Sequence, residues 1–173
     1  MRVAELVGVR QFRLAEEPIA EPGPGEVQVR VEAVGICGSD MHSYSEGAVG
    51  DTPCHFPMVL GHEPAGAITK LGPGVGGLGV GDRVACEPAL FCYHCDLCRS
   101  GRHNLCSAMK FLSTPGHPGF FRETVNLPVE NVLPLPRGLG PSDGALVEPL
   151  AVALHSLRLA PPALGETAAV LGA

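Results

Sequence analysis

The chain has 173 residues, 45% of them hydrophobic, which allows one domain of ordinary core size, or one domain and the start of another. A formal charge of -6 without any Lys/Arg cluster excludes the basic footprint of a nucleic-acid binder. No stretch approaches the ~18 consecutive apolar residues of a membrane-spanning helix, and no apolar region follows the first basic residue, so the expectation is a soluble, cytoplasmic protein.

Aromatic residues make up only 5% and tryptophan is absent, so Val, Leu and Ala must fill the core. The 23 glycines and 17 prolines fall between short apolar runs, a pattern of many strands and tight turns that predicts a mainly β fold. Residues Met1 to Ala20 read as two short strands about Gly8-Val9-Arg10, and Pro22-Gly23-Pro24-Gly25 forces a turn. Val27, Val29, Val31 and Ala33 then alternate with Gln28, Arg30 and Glu32, the pattern of a half-buried strand that delivers Cys37 at its end. From Cys37 to Tyr44 a short helical turn is expected, with Ser39 or Asp40 as its N-cap.

Residues Ser45 to Pro57 read as a surface loop whose Cys54 and His55 have no metal role. Strands are expected at Pro64 to Leu71, Gly81 to Cys86, Phe120 to Val125 and Val129 to Leu135. A helix capped by Ser142 or Asp143 runs to about Leu159, or starts at Pro149 instead. Glu166 to Leu171 reads as a last strand running into Gly172.

Between these strands lies Cys92-x-x-Cys95-x-x-Cys98, followed after seven residues by Cys106. Four thiolates at these separations can close a tetrahedral S4 site with no open position, as a structural zinc requires. Iron–sulfur ligation shares the first three cysteines, but the bacterial ferredoxin run continues with three residues and Cys-Pro, not with seven and Cys106-Ser107. His94 and His103 are bystanders in this lobe, and the cysteine count favours metal over disulfides in a reducing compartment.

A second set of donors is dispersed. Cys37, His62, Glu63 and Glu148 offer sulfur, nitrogen and oxygen to one divalent ion, a mixture suited to a catalytic zinc with a free fourth position. On a regular strand His62 and Glu63 would face opposite sides, so a shared ion needs a bend near Gly61. The competing reading of this stretch is a buried strand ending in a polar turn. One thiolate and one carboxylate neutralise Zn2+, so a single firm Glu–metal bond is expected, with Asp40 supporting a ligating histidine from behind.

The run Gly61-His62-Glu63-x-x-Gly66, with Gly72 and Val75 beyond it, resembles the zinc signature of the medium-chain alcohol dehydrogenases. Cys37-Gly38-Ser39-Asp40-x-His42 resembles the segment that supplies that family's first zinc ligand and its proton relay. Val147-Glu148-Pro149-Leu150-Ala151-Val152-Ala153-Leu154-His155 is similar to the polyol (sorbitol or L-iditol) dehydrogenase branch.

The resemblance implies a GroES-like catalytic domain over residues 1–160, a partly open β-barrel with a structural-zinc lobe at 86–110. Residues 161–173 would be a linker and the first strand of a dinucleotide-binding domain, with Gly172 opening its glycine-rich turn. It implies NAD(P)-linked oxidation of a secondary alcohol, a polyol such as sorbitol, with threonine dehydrogenase or another alcohol dehydrogenase as alternatives. Two zinc ions are implied, one catalytic and one structural, with Glu63 a direct ligand and Glu148 acting through water. Protons would leave through Ser39 towards His42. Phe111 falls where the branch has a pocket aromatic, and Tyr44 stands one place beyond the branch's pocket tyrosine, which is Ser43 here. The full-length enzyme would be a dimer or tetramer, and this chain alone would be an inactive zinc-binding fragment or an interaction module.

Overall fold

The computed structural model describes residues 1–171. Strands β1 (Arg2–Gly8) and β2 (Gln11–Glu16) form a hairpin through Arg10, and β3 (Glu26–Gly35) leads into helix α1 (Gly38–Glu46). Two short pairs of residues, β4 (Ala48–Val49) and β5 (Thr52–Pro53), make a second hairpin before β6 (Met58–Val59), β7 (Glu63–Leu71), β8 (Arg83–Cys86) and β9 (Ala89–Leu90). After helix α2 (Asp96–Arg99) come β10 (Lys110–Phe111), β11 (Thr124–Pro128) and β12 (Val132–Pro134), then helices α3 (Pro141–Ala145) and α4 (Val147–Leu159).

The main sheet runs β11-β3-β7-β8-β12, all antiparallel, and a smaller sheet runs β2-β1-β6. Val27, Val29, Ile68, Val84, Phe120 and Leu127 form the centre of the core, each no more than 1% exposed. Burial of a side chain of this size contributes about 1.5–3 kcal/mol, so a handful of valines and leucines does what the few aromatics cannot. The alternation expected along β3 fails at Gln28, which is 4% exposed. Its amide is satisfied: Nε2 donates to Ala20 O at 3.0 Å and Oε1 accepts from Thr69 Oγ1 at 3.2 Å, so the second face of β3 is covered here by a polar seam.

Three further expectations are corrected. The strand expected from Phe120 begins at Thr124, because Phe120 and Phe121 bond instead to Gly61 O and Leu60 O as the chain crosses the His62 turn. The single helix expected to start at Ser142 or Asp143 is two, interrupted at Leu146; Gly140 is the first cap, its N–H donating 2.7 Å to the Asp143 carboxylate. Pro149 is accommodated in the first turn of α4, where N–H groups have no helical acceptor to lose. Finally, residues 166–171 form no ladder and are exposed, as none of the described strands pairs with them. Gly172 lies outside the described residues.

None of the described helices is long and apolar enough to cross a membrane. The cysteine lobe leaves the sheet through a two-stranded neck in which Leu90 pairs with Lys110 and Ala89 with Phe111. That neck fixes Phe111 beside the site described next.

Candidate metal centre

Strand β3 ends at Gly35 opposite Glu63, the first residue of β7, so pairing in the main sheet brings the Cys37 segment alongside the Glu63 segment. A register shift between Val31 and Ala33 sets this alignment. Glycine at position 35 leaves room for the Glu63 side chain to fold back over the neighbouring strand; a Cβ there would collide with Glu63 Oε2.

Gly61 makes the other necessary bend. Its φ of +89° lies in the left-handed region, which lets His62 and Glu63 turn to one side instead of alternating. As a result, donor atoms of Cys37, His62 and Glu63 all lie within 4.8 Å of one another. A tetrahedral ion with bonds of ~2.0–2.3 Å needs ligand separations of about 3.3–3.8 Å, so closure asks for movements of about 1 Å. His62 and Glu63 are buried, and Cys37 is partly exposed.

Asp40 ties the cluster together. It is 3% exposed, and its carboxylate accepts the Cys37 N–H at 3.0 Å and the Gly61 N–H at 3.1 Å, with Ser113 Oγ at 3.5 Å and His62 Nδ1 at 3.7 Å. The N-cap of α1 is therefore Cys37, not Ser39 or Asp40; Asp40 stands at the third helical position and reaches back. With Nδ1 turned to Asp40, Nε2 is the ring nitrogen left for an ion.

Burial alone would raise the Asp40 carboxyl, but hydrogen bonding with His62, Cys37 N–H and Gly61 N–H outweighs it and holds it below the ordinary carboxylate range. For His62 burial disfavours the charge, yet Asp40, with help from Cys37, carries it up to about 9. Without a metal the ring is thus held towards its protonated form beside Asp40.

The other predicted residues are spread more widely. Glu148, in the first turn of α4, is not among the three clustered donors. Its carboxyl is raised, by burial first and by Glu63 and Glu87, with His62 opposing, so it faces the cluster from a distance. Ser39 and Phe111 line a cavity of about 400 Å3 that opens beside His62, and the rings of Phe111 and His62 are 5.6 Å apart. His42 is on the exposed side of α1, its Nδ1 2.9 Å from Glu46 Oε1. Tyr44 does not line the cavity: one residue beyond Ser43 on a helix, it is turned away and stacks on Phe12 at 5.7 Å.

Ser43, Cys54, Ser113 and Thr114 line the cavity and were not singled out as site residues by the sequence reading. Ser43 had a signal, since it lies four residues from Ser39 on one helical face. Ser113 and Thr114 had none: Ser113 reaches the site through a non-glycine residue at φ +83° in a loop.

The four lobe cysteines cluster as their spacing predicts. Cys92 Sγ is 3.5 Å from Cys106 Sγ and 3.9 Å from Cys98 Sγ, close to the ~3.8 Å edge of a tetrahedron with ~2.3 Å metal–sulfur bonds. All seven cysteines are free thiols. The Cys98 N–H, pointing at Cys95 Sγ, leads the causes that lower Cys95 to about 6, while burial and the neighbouring thiols push Cys98 up to about 12. Cys106 is lowered as well, led by the Cys92 N–H, so crowded sulfurs are pushed in opposite directions, as expected of thiols gathered for a cation.

The chain is thus a mainly β domain with one cluster of four cysteine sulfurs and a second cluster of sulfur, nitrogen and oxygen donors whose His62 lines a cavity, two donor sets of the kind that hold metal ions. Residues 23–137 match the alcohol dehydrogenase GroES-like domain, and the chain belongs to that family. It is 43% identical over 169 residues to the "Probable D-xylulose reductase A" of Neosartorya fischeri, covering 97% of this chain and 47% of that protein. It is 42% identical over 170 residues to the sorbitol dehydrogenase of Arabidopsis thaliana, covering 98% and 47%. In three dimensions it is similar to galactitol-1-phosphate dehydrogenase from Escherichia coli, with a TM-score of 0.83, 35% identity, and coverage of 92% of this chain and 45% of the other. The chain thus spans about half the length of the curated relatives it matches.

Proposed function

We propose that this chain is the metal-bearing half of a zinc-dependent dehydrogenase that oxidises a secondary alcohol, a polyol of the sorbitol or xylitol type, with NAD(P) as hydride acceptor. The observation that carries the reading is the meeting of Cys37, His62 and Glu63, of which His62 lines a cavity shared with Ser39 and Phe111. The donor mixture suits zinc, with three protein ligands and room for a substrate oxygen. A zinc ion held there would act as a Lewis acid, making a hydroxyl easier to deprotonate near neutral pH.

The chain's own groups do the rest. Asp40 holds His62 and the Cys37 and Gly61 backbone in one arrangement, so the donors are fixed before substrate arrives. Phe111 and His62 form a wall against which a substrate carbon chain can pack. Ser39 sits in the cavity and His42 one turn on at the surface, which supports a proton path from the substrate hydroxyl to Ser39 and out through His42. Glu148 stays near the cluster without entering it, in keeping with a role through water. The names of the sequence relatives, D-xylulose reductases and a sorbitol dehydrogenase, and of one structural neighbour, a galactitol-1-phosphate dehydrogenase, support the substrate class.

The test is formation of reduced nicotinamide by the zinc-loaded full-length enzyme that carries this half, given sorbitol, xylitol, threonine or 2-butanol, with NAD and with NADP. Polyol-dependent reduction that disappears in Cys37→Ser and Glu63→Gln is expected. A preference for threonine, or turnover that survives Cys37→Ser, contradicts the proposal.

A further inference from the structure

The segment Phe121–Glu123 stitches the two sheets together. The Ala4 N–H donates to Phe121 O at 2.8 Å, Val3 and Arg122 form an isolated antiparallel bridge, and the Val31 N–H donates to Glu123 O at 2.9 Å, so β1 and β3 are both held to it. A second pocket, of about 240 Å3, opens at this seam. Val3, Leu14 and Val31 give it an apolar wall, and Arg2, Arg122 and Glu123 supply its charges. None of its residues lines the cavity beside His62.

Those charges do not balance. Arg2 takes up Glu123 through its backbone N–H at 2.8 Å, its Nε at 2.7 Å and its Nη2 at 2.6 Å. Arg13 and Arg30 on the neighbouring strands likewise hold Glu5 and Glu32. Arg122 holds no carboxylate among the described residues: its Nη2 donates to Pro118 O at 3.3 Å, and its Nε is buried without a hydrogen-bond partner. Burial pulls the guanidinium below its usual range, with the Glu17 charge opposing. A half-buried cation with an unused donor is unfavourable until an anion supplies both the charge and the acceptor.

We propose that this pocket binds a short-chain monocarboxylate, its head on Arg122 and its tail against Val3, Leu14 and Val31. The site stands apart from the metal centre and does not depend on the oxidation proposed there. A guanidinium presents its N–H groups as a planar fork that matches the two oxygens of a carboxylate. Two arginines against one glutamate leave the lining positive by one in a chain of net charge -6, so an anion is drawn here and repelled elsewhere. The volume is below the ~300–1,000 Å3 of clefts that take larger ligands, which selects a small acid. Leu14 and the Arg2 side chain, 74% and 70% exposed, are free to move aside as the head reaches the buried Nε.

The experiment is an NMR titration of the protein with acetate, propionate, butyrate and the uncharged analogue 1-butanol, in the parent and in Arg122→Gln and Leu14→Glu, with folding of each checked by circular dichroism. In the parent a single site is expected that tightens about three- to fourfold per methylene from acetate to butyrate, while 1-butanol gives no saturable binding. Arg122→Gln weakens butyrate about 10–100-fold, the range of a lost hydrogen bond to a charged group. Leu14→Glu changes an exposed position, sets a carboxylate beside Arg122 and excludes butyrate while leaving the guanidinium in place. Absence of saturable butyrate binding in the parent overturns the proposal, as do equal affinities for butyrate and 1-butanol or butyrate binding that both variants retain. Self-association of the parent in sedimentation that Arg122→Gln abolishes assigns the carboxylate to a second copy of the chain and overturns the small-acid site.

Discussion

Replacing Gly61 with alanine tests whether the bend that unites His62 and Glu63 is imposed by this one residue. At φ +89° a side chain meets a left-handed backbone penalty of about 1–2 kcal/mol. The added Cβ would lie 2.5 Å from Phe121 Cδ1, 2.7 Å from Phe121 Cε1 and 3.0 Å from Val34 Cγ1. Crowding of this kind in a packed interior costs about 1–3 kcal/mol. A stiffer unfolded chain gives back about 0.4–1 kcal/mol, leaving a net loss of about 1–4.5 kcal/mol. With a urea slope of about 2 kcal/mol per molar, the unfolding midpoint should fall by roughly 0.5–2 M. If the backbone relaxes to avoid Phe121, the Gly61 N–H leaves Asp40 and His62 moves with it. Zinc at the three-donor site should therefore be lost while zinc in the cysteine lobe stays. A Gly61→Ala protein as stable as its parent to within about 0.5 kcal/mol, holding both metals, refutes the reasoning.

Asp40→Asn keeps the shape but leaves one buried N–H facing an amide instead of a carboxylate oxygen; metal affinity at the Cys37 site should drop about 10–100-fold in chelator competition, and unchanged affinity contradicts the bracing role. Stripping metal with a chelator should make residues 91–109 sensitive to protease while circular dichroism still reports the β-sheet, because few buried apolar groups other than the cysteines hold the lobe; a lobe that resists digestion without metal counts against an S4 site. Burial pushes the Cys86 thiol up to about 12, so the folded protein keeps it neutral while the unfolded chain ionises near pH 8.5–9. Its contribution to stability is accordingly complete below about pH 9 and is lost as pH rises from there towards 12. Iodoacetamide at pH 8 should leave Cys86 unlabelled in the native state, and prompt labelling would count against its burial.

The parts of the fold that were legible in the sequence are those written in local pattern. The hairpin around Arg10, the strand from Glu26, the bend at Gly61 and the four-cysteine cluster each follow from a few neighbouring residues whose chemistry permits little else. The donor set was legible because sulfur, imidazole and carboxylate are scarce inside an apolar core, and three of them in one place can hold a cation. What sequence could not supply was the cross-chain geometry. That Glu63, not Glu148, joins Cys37 follows from the β3–β7 register and from the space at Gly35, which no local pattern encodes. Tyr44 was misplaced by one residue, and one residue on a helix is about 100°, enough to turn a ring from the cavity to Phe12. The last strand was expected from its apolar run, but a strand is defined by a partner, and residues 166–171 have none among the described residues.

The measurement closest to the central claim is the zinc content of the purified protein with X-ray absorption at the zinc edge, in the parent and in Cys37→Ser, His62→Ala and Glu63→Gln. The account predicts two zinc ions per chain in the parent, one bound by sulfur alone and one by a mixture of sulfur, nitrogen and oxygen. Each substitution should remove or strongly weaken the mixed site and leave the all-sulfur signal. A single all-sulfur zinc in the parent, or two ions retained in all three variants, would contradict it.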